Sequence, residues 1–281
     1  MRMTSSEAPP TPELGSDAQG AAGTQSLARA IKLIRALAMR GEIGWRLSDL
    51  ATACSIDKGT AHRMLSAMVK ERLVQQRPRD RRYLPGPLLF ELALSLPGQH
   101  EFQVAASAEL SGWAHRMNAD ALLLLRSGTE YVCSVCVGAT QLAGLMIVQG
   151  TRRPLFTSVG GVAILQSLPP QEAAEILANN VVQEVTKRGE ARLRVLQSMR
   201  ERSARHGFGV NLGDVVPGLH AFAIALHGPD HKPFAALCLV GTAKHFPERD
   251  LMRIKAELDA QARSLEGLAA KLLFRANADD T

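Results

Sequence analysis

The hydrogen-bond donors best suited to binding chemistry recur along one face of a predicted helix between Asp57 and Lys70. Apolar residues in this run recur at the spacing of a buried helical face. At about 100° per residue the opposite side carries donors and small residues. These are Lys58, Gly59, Thr60, His62, Arg63, Ser66 and Lys70. An exposed arginine on such a helix can offer two parallel donors to guanine, so the pattern predicts contact with DNA bases.

A second cluster of donors follows in a predicted hairpin between Gln75 and Tyr83. Pro78 and Asp80 favour a turn there. The arginines around them are Arg77, Arg79, Arg81 and Arg82. A charged hairpin of this kind is predicted to contact phosphates. An ordinary solvated surface is the competing interpretation of both segments.

Two short helices are predicted to position these donors. Ser48 is the expected N-cap of the first helix, which runs through Cys54, and Asp57 is the expected N-cap of the second. Residues 54–56 form the turn between them. Two helices joined this tightly, followed by a basic hairpin, predict a winged helix-turn-helix.

The positive charge of the chain is concentrated in this region. Residues 25–86 contain 13 Lys and Arg against 5 Asp and Glu, a net charge of +8. The whole chain carries +6, so the other residues carry 20 minus 22, or −2. Such asymmetry favours attraction to a polyanion. Membrane binding would need exposed apolar anchors and RNA binding would need aromatic stacking platforms, and neither stands out.

The pair Cys133 and Cys136 has the spacing of a redox or zinc motif. It falls in a predicted strand, where residues three apart point to opposite faces, so one metal could not easily meet both thiolates. We therefore expect buried, reduced cysteines, with no metal site and no cofactor.

The rest of the chain is predicted to have an α+β fold. Strands are expected at residues 121–126, 131–137, 144–148, 219–226 and 234–240, and helices at about 101–117, 170–178, 192–206 and 248–273. A turn at residues 228–231 joins the last two strands and implies an antiparallel sheet. A connector helix is expected from Leu88 to Leu96, ended by Pro97 and Gly98.

Several runs resemble the IclR family of bacterial transcriptional regulators in order and spacing. The runs are residues 25–37, 47–51, 57–65 and 82–87, with weaker similarity at 153–161, 207–208, 217–219 and 235–237. The resemblance implies a GAF-like ligand-sensing domain behind the helix-turn-helix. It also implies a homodimer or dimer of dimers that binds a double-stranded DNA operator.

Together these features predict five segments. They are a disordered tail over 1–24, a winged helix-turn-helix DNA-binding domain over 25–86, a connector helix over 87–98, an effector-binding and oligomerisation domain over 99–276, and a disordered tail over 277–281. The first tail lacks the features of a signal peptide, and no apolar run reaches the length of a membrane span. We therefore expect a cytoplasmic protein with no membrane partner.

By resemblance, a pocket for a small-molecule effector is lined from three places in the second domain. The residues carried over are Leu142, Val159, Gly160, Asn211, Leu219, Ala221, Cys238 and Val240. Family members often have an acidic residue, a cysteine and two serines where this chain has Asn211, Ala221, Cys238 and Val240. The changes remove charge and hydroxyls, so a larger or aromatic ligand is favoured over a small dicarboxylate. Arg152, Arg153, Thr157 and Ser158 could supply donors, and a filled core is the competing interpretation.

The sequence thus indicates a transcriptional regulator, repressor or activator, whose operator binding responds to an effector. A DNA-binding protein whose degenerate pocket responds to no ligand is the alternative. An enzyme is disfavoured, because no nucleophile elbow, zinc-binding or phosphate-loop motif occurs.

Overall fold

The computed structural model describes residues 17–41, 43–138 and 147–274. They form two compact units, one ending at Leu89 and the other beginning at Phe90. The predicted residue Leu142, residues 1–16 and residues 275–281 lie outside the described residues.

The first unit contains the predicted helix pair and hairpin. Its elements are α1 (Asp17–Ala38), α2 (Leu47–Cys54), α3 (Lys58–Lys70), β1 (Val74–Gln76) and β2 (Tyr83–Pro85). β1 and β2 are antiparallel, with Gln76 opposite Tyr83. The predicted order of helix, turn, helix and basic hairpin is confirmed.

One core joins the elements of the first unit. Leu37, Leu50 and Leu65, one from each helix, are at most 1% exposed. Trp45 attaches the hairpin to this core, because its backbone exchanges hydrogen bonds of 2.9 and 2.8 Å with Tyr83. The Trp45 indole also donates to the Ala36 carbonyl at 2.8 Å. The hairpin is therefore fixed against the helices that carry the predicted donors.

Two boundaries in this unit differ from the prediction. α1 begins at Asp17, so residues 17–24, expected in a disordered tail, are helical. The segment has no proline and contains three alanines, which allows the helix to extend towards its N-terminus. Arg46, and not Ser48, is the N-cap of α2. The helix starts early because Leu47 packs on the core, and the Ser48 hydroxyl lies 3.1 Å from Asp49 instead.

The second unit is a sheet with helices on both faces. Its helices are α4 (Leu88–Ala93, which begins at the end of the first unit), α5 (Gln99–Met117), α6 (Val159–Gln166), α7 (Pro170–Arg188), α8 (Glu190–His206) and α9 (Leu251–Leu272). Its strands are β3 (Asp120–Ser127), β4 (Glu130–Gly138), β5 (Arg152–Pro154), β6 (Gly209–Leu212), β7 (Leu219–His227) and β8 (Pro233–Thr242). Short 3₁₀ turns precede α6 and α9. The α+β architecture is confirmed.

The described strands form one antiparallel sheet in the order β5-β4-β3-β8-β7-β6. One face packs on α5 and α9, where Phe222 and Leu237 are fully buried. The other face packs on α6, which α7 and α8 in turn contact, and holds Leu122 and Leu124. β3 and β8 carry apolar residues on both faces of the sheet. Helices pack on both faces because burying these residues is favourable.

The edge of the sheet departs from the expected strands. Residues 147–148 are not in a strand, and residues 144–146 lie outside the described residues. β5 and β6 were not predicted, because β5 has three residues and ends in Pro154, and β6 begins at Gly209. Segments this short carry no readable alternation, and their pairing with β4 and β7 defines them.

A bulge in β4 places Cys133 and Cys136 on the same face of the sheet. Leu123 pairs with Val135 but Leu124 pairs with Cys133, so Ser134 is the extra residue. The prediction of opposite faces is therefore wrong, because one inserted residue reverses the alternation. Both thiols are free. A hydrogen bond between them raises the pKa of Cys133, with burial adding to the rise, and lowers the pKa of Cys136.

The connector helix is shorter than predicted. α4 ends at Ala93, and the chain continues to Pro97 in a turn in which the Leu96 N–H bonds the Ala93 carbonyl at 3.1 Å. Pro97 has no N–H to donate to the Ala93 carbonyl and disfavours the α conformation at Leu96, so the α-helical hydrogen bonds do not continue through the turn.

Leu65→Ala is expected to lower the stability of the first unit by about 2 to 5 kcal/mol, because it opens a cavity in a closed core. The free energy of unfolding of this unit can be measured by urea denaturation, followed by the fluorescence of Trp45 in a Trp113→Phe background. Lys70→Ala, an exposed change on the same helix, is the control and should leave the midpoint unchanged. A loss below about 1 kcal/mol for Leu65→Ala would contradict the packing described.

Candidate functional site

The helix α3 is held at its N-terminus by the predicted cap. The Asp57 carboxylate accepts hydrogen bonds from the Thr60 side chain and from Thr60 N, the latter at 2.9 Å, and these bonds lower the pKa of Asp57. In the preceding turn Ser55 has a φ of 53°, so the chain reverses within one residue. The cap and the turn together set the direction in which α3 leaves α2.

The predicted stripe lies on the outer side of α3. Ala61, Leu65 and Met68 are buried, as the periodicity predicts. The exposed residues of the stripe are Lys58, Gly59, His62, Arg63 and Lys70, and the half-buried ones are Thr60 and Ser66. Arg63 donates to the Thr60 hydroxyl at 3.2 Å, which directs the guanidinium along the helix. The stripe therefore offers several donors from one rigid surface.

The arginines of the hairpin, or wing, separate into two groups. Arg77 donates to both carboxylate oxygens of Asp80, at 2.9 and 2.7 Å, and lowers the pKa of Asp80 to about 2. Arg77 and Arg82 also donate to the Ile43 carbonyl, at 3.0 and 3.2 Å. These two side chains hold the wing to the preceding loop, whereas Arg79 and Arg81 are exposed near its tip.

The second unit contains a cavity of about 340 Å³ between the sheet and the helices of one face. Its wall is mainly apolar. The lining residues are Leu122, Leu124, Tyr131, Ile147, Arg153, Thr157, Ser158, Val159, Arg188, Arg192, Asn211, Val215, Val216, Leu219, Ala221, Cys238 and Val240. We call this cavity the pocket.

Most of the residues carried over from the family resemblance meet in this pocket. Those that line it are Val159, Asn211, Leu219, Ala221, Cys238 and Val240. Gly160 is not in the described lining, because it lies where α6 touches the sheet: a Cβ there would be 2.5 Å from the Cys238 sulfur. Its lack of a side chain lets the helix approach the strands. Burial raises the pKa of Cys238 to about 12.

Three of the polar residues named from the family resemblance make hydrogen bonds within the domain. The Asn211 side-chain oxygen accepts from Asp214 N at 2.9 Å, which fixes the loop after β6. Arg152 bonds Ser127 and Glu130, at 2.9 and 3.1 Å, and does not appear in the described lining. Ser158 accepts from Gly161 N at 3.1 Å and caps α6. The hydrogen bonds of these residues therefore hold the backbone and side chains around the pocket in place.

The sequence indicates Arg153 as a possible donor, and it lines the pocket, but the other two arginines of the described lining were not predicted. Arg188 is the last residue of α7 and Arg192 lies in the first turn of α8. Tyr131 of β4 joins them in the lining and is fully buried. No local pattern marks these residues as a group, because Tyr131 lies more than 50 positions before the two arginines.

Both units match models of known protein families. Residues 26–78 match the IclR helix-turn-helix domain, and residues 123–266 match the bacterial transcriptional regulator IclR C-terminal domain. The glycerol operon regulatory protein of Streptomyces griseus is 26% identical over 77% of this chain and 84% of its own length.

Solved structures share the fold. An IclR family transcriptional regulator from Brucella abortus aligns with a TM-score of 0.69 at 16% identity, over 92% of this chain and 99% of that one. An IclR homologue from Microbacterium hydrocarbonoxydans, in complex with 4-hydroxybenzoate, aligns with a TM-score of 0.63 at 18% identity, over 86% and 98%. Identities this low establish the fold alone.

The helix-turn-helix and the sheet domain behind it define a DNA-binding transcriptional regulator and not an enzyme. The chain belongs to the IclR family. Within the described ranges, none of the helices has the length and apolar character needed to cross a membrane.

Arg63→Ala is expected to weaken operator binding by about 1 to 3 kcal/mol and to relax sequence preference, because it removes a donor pair from the exposed stripe. Competition binding with operator and scrambled DNA measures both effects. If a folded Arg63→Ala protein bound operator with wild-type affinity and sequence preference, Arg63 would not contact the bases.

The two exposed wing arginines should act through phosphates. Arg79→Gln with Arg81→Gln is expected to reduce the slope of log affinity against log salt by up to about two units, because two counterion-releasing contacts are lost. Sequence preference should remain. The test is to measure affinity for specific and nonspecific DNA at several salt concentrations. An unchanged slope would show that the wing tip does not contact DNA phosphates.

Proposed function

We propose that this protein is a homo-oligomeric repressor or activator whose operator binding is modulated by a small-molecule effector in the pocket. The observation that carries the proposal is the pocket itself. A cavity of about 340 Å³ has the size of a ligand site, and its mainly apolar wall with few polar groups has the usual composition of one.

The wall favours an aromatic or organic-acid effector. Leu219, Ala221 and Val240 present hydrocarbon surface from neighbouring strands β7 and β8. An apolar body gains free energy there by leaving water, whereas a small dicarboxylate would need paired donors at both ends. The Microbacterium hydrocarbonoxydans homologue, which holds 4-hydroxybenzoate, supports this choice.

Modulation requires that the effector bind two states of the protein with different affinity. A ligand with equal affinity for both states would leave operator binding unchanged. We propose that α4, which follows the DNA-binding segment in sequence, transmits the difference. Paired helix-turn-helix units would then read two half-sites whose spacing depends on the effector-bound state.

Ala221→Leu tests the pocket against a filled core. If the pocket takes an effector, the larger side chain enters open volume. The variant should then keep its melting temperature and operator affinity but lose the response to 4-hydroxybenzoate. Thermal melting, calorimetric titration and operator binding in the presence of this acid are the measurements.

Ala223→Leu is the matched control, since Ala223 lies on the same strand and sheet face but is fully buried outside the described lining. It should cost about 1 to 3 kcal/mol by overpacking. An Ala221→Leu protein that melts as early as this control would favour the filled core. Wild-type effector response in a stable Ala221→Leu protein would refute the site, and no ligand response in any form would favour a degenerate pocket.

A further inference from the structure

Three buried polar atoms that lack hydrogen-bond partners in the described structure lie in or next to the wall of the pocket, whereas a fourth, in Trp113, lies in the core on the other face of the sheet. In the part of the chain that the structure describes, four buried side-chain atoms have no hydrogen-bond partner: Trp113 Nε1, Tyr131 OH, Glu184 Oε1 and Arg192 Nε. Tyr131 and Arg192 line the pocket, and Glu184 Oε1 lies 3.6 Å from Arg192 Nε. Buried polar groups are nearly always paired in native proteins. The Tyr131 hydroxyl has no partner among the described residues and Arg192 Nε meets Glu184 only at 3.6 Å, so both donors can serve a further acceptor in the cavity.

This part of the pocket is positively charged. Arg153, Arg188 and Arg192 belong to the described lining, which includes no Asp or Glu. Glu184 approaches Arg188 and Arg192 only at 3.8 and 3.6 Å, and neither contact is a hydrogen bond with good geometry. Converging guanidinium groups repel one another, and an anion placed among them would relieve that repulsion.

The pKa of Arg192 agrees with this crowding. Burial lowers it, and the charges of Arg188 and Arg153 lower it further against the opposing effect of Glu184. Burial also raises the pKa of Tyr131, against the opposing effect of Arg153, so the phenol keeps its proton and can donate it. Both groups are thus donors in a partly dehydrated site, where a charged acceptor is bound most strongly.

The Ser158 and Thr157 hydroxyls lie near the Tyr131 hydroxyl and oppose the rise in its pKa, but neither makes a hydrogen bond of good geometry with it. The Thr157 hydroxyl donates to the Pro154 carbonyl at 2.7 Å, and its proton is therefore already used. Apart from Ser158, Asn211 and Cys238, the rest of the lining, which includes Leu122, Leu124 and Val240, is hydrocarbon. The pocket accordingly has one cationic end rich in donors and one apolar end.

We propose that Arg192, Arg153 and the Tyr131 hydroxyl form an anion subsite that binds the carboxylate of a monoacid whose apolar body lies against the sheet. The proposal rests on the proposed function, in which the pocket takes an effector, and adds the charge and orientation of that ligand. A planar carboxylate suits a guanidinium because both present two parallel bonding atoms. Glu184 holds Arg192 in place from behind as a counter-ion.

Matched acids and amides test the subsite in the full-length protein by calorimetric titration. The probes are benzoate and benzamide, phenylacetate and phenylacetamide, and hexanoate and hexanamide. Each pair shares one apolar body and differs in charge. We expect the best acid to bind at least about tenfold more tightly than its amide, the effect of a charged hydrogen bond.

The variants separate binding from folding. Tyr131→Phe removes a hydroxyl that has no hydrogen-bond partner within residues 17–41, 43–138 and 147–274. The melting temperature should therefore hold, while acid affinity should fall about threefold to tenfold. Glu184→Gln with Arg192→Gln removes the charge pair together, so that no carboxylate is left alone, and should abolish the preference for acid over amide. Arg194→Gln, an exposed arginine on the same helix, is the control and should change neither quantity.

Equal affinity for acids and amides in the wild type would overturn the subsite, as would a preference that survives the double variant. In either case, amide binding that Ala221→Leu abolishes would leave the proposed pocket standing. If no acid or amide bound at all, both the subsite and the effector pocket would be refuted.

Discussion

The six-stranded sheet must bury both of its faces, and the second unit is built around that requirement. Its central strands β3 and β8 carry apolar residues on alternate sides, so neither face can remain in water. The face towards α5 and α9 is filled by large side chains such as Phe222 and Trp113. The opposite face is covered by α6, whose close approach at Gly160 leaves space further along the strands. The pocket lies in this space, because α6 does not fill its face of the sheet as completely as α5 and α9 fill the other.

The close approach of α6 also accounts for the small residues of this face. Gly160 and Gly161 have no room for a Cβ, because Cys238 on one side and the Leu155 backbone on the other are too near. Ala221 and Ala223 of β7 lie on the same face. Small side chains along a strand leave open volume between the sheet and the helix above it. The α8 residue in the lining of this volume is an arginine, Arg192. Small residues of the sheet thus border the open volume of the pocket, whereas Arg188 and Arg192 come from the helices that cover it.

The DNA-binding unit depends on a different kind of contact. Its wing consists of two three-residue strands, too short to be stable alone. Trp45 supplies an additional backbone bridge, and Arg77 and Arg82 bond the Ile43 carbonyl across the loop. Two of the four wing arginines thus have structural partners, which sequence charge alone could not distinguish from exposed ones. Only Arg79 and Arg81 extend from the tip into solvent.

Features that depend on neighbouring residues can be predicted from the sequence. The period of α3, its Asp57 cap and strands β3, β4, β7 and β8 can be read locally, because helical and strand periodicity reflect which side of one segment is buried. The other features depend on contacts between distant segments. The bulge at Ser134 depends on the register with β3, and the short strands β5 and β6 exist through their partners. The cationic end of the pocket joins Tyr131 to Arg192, which are distant in sequence and meet only because a helix packs over the sheet.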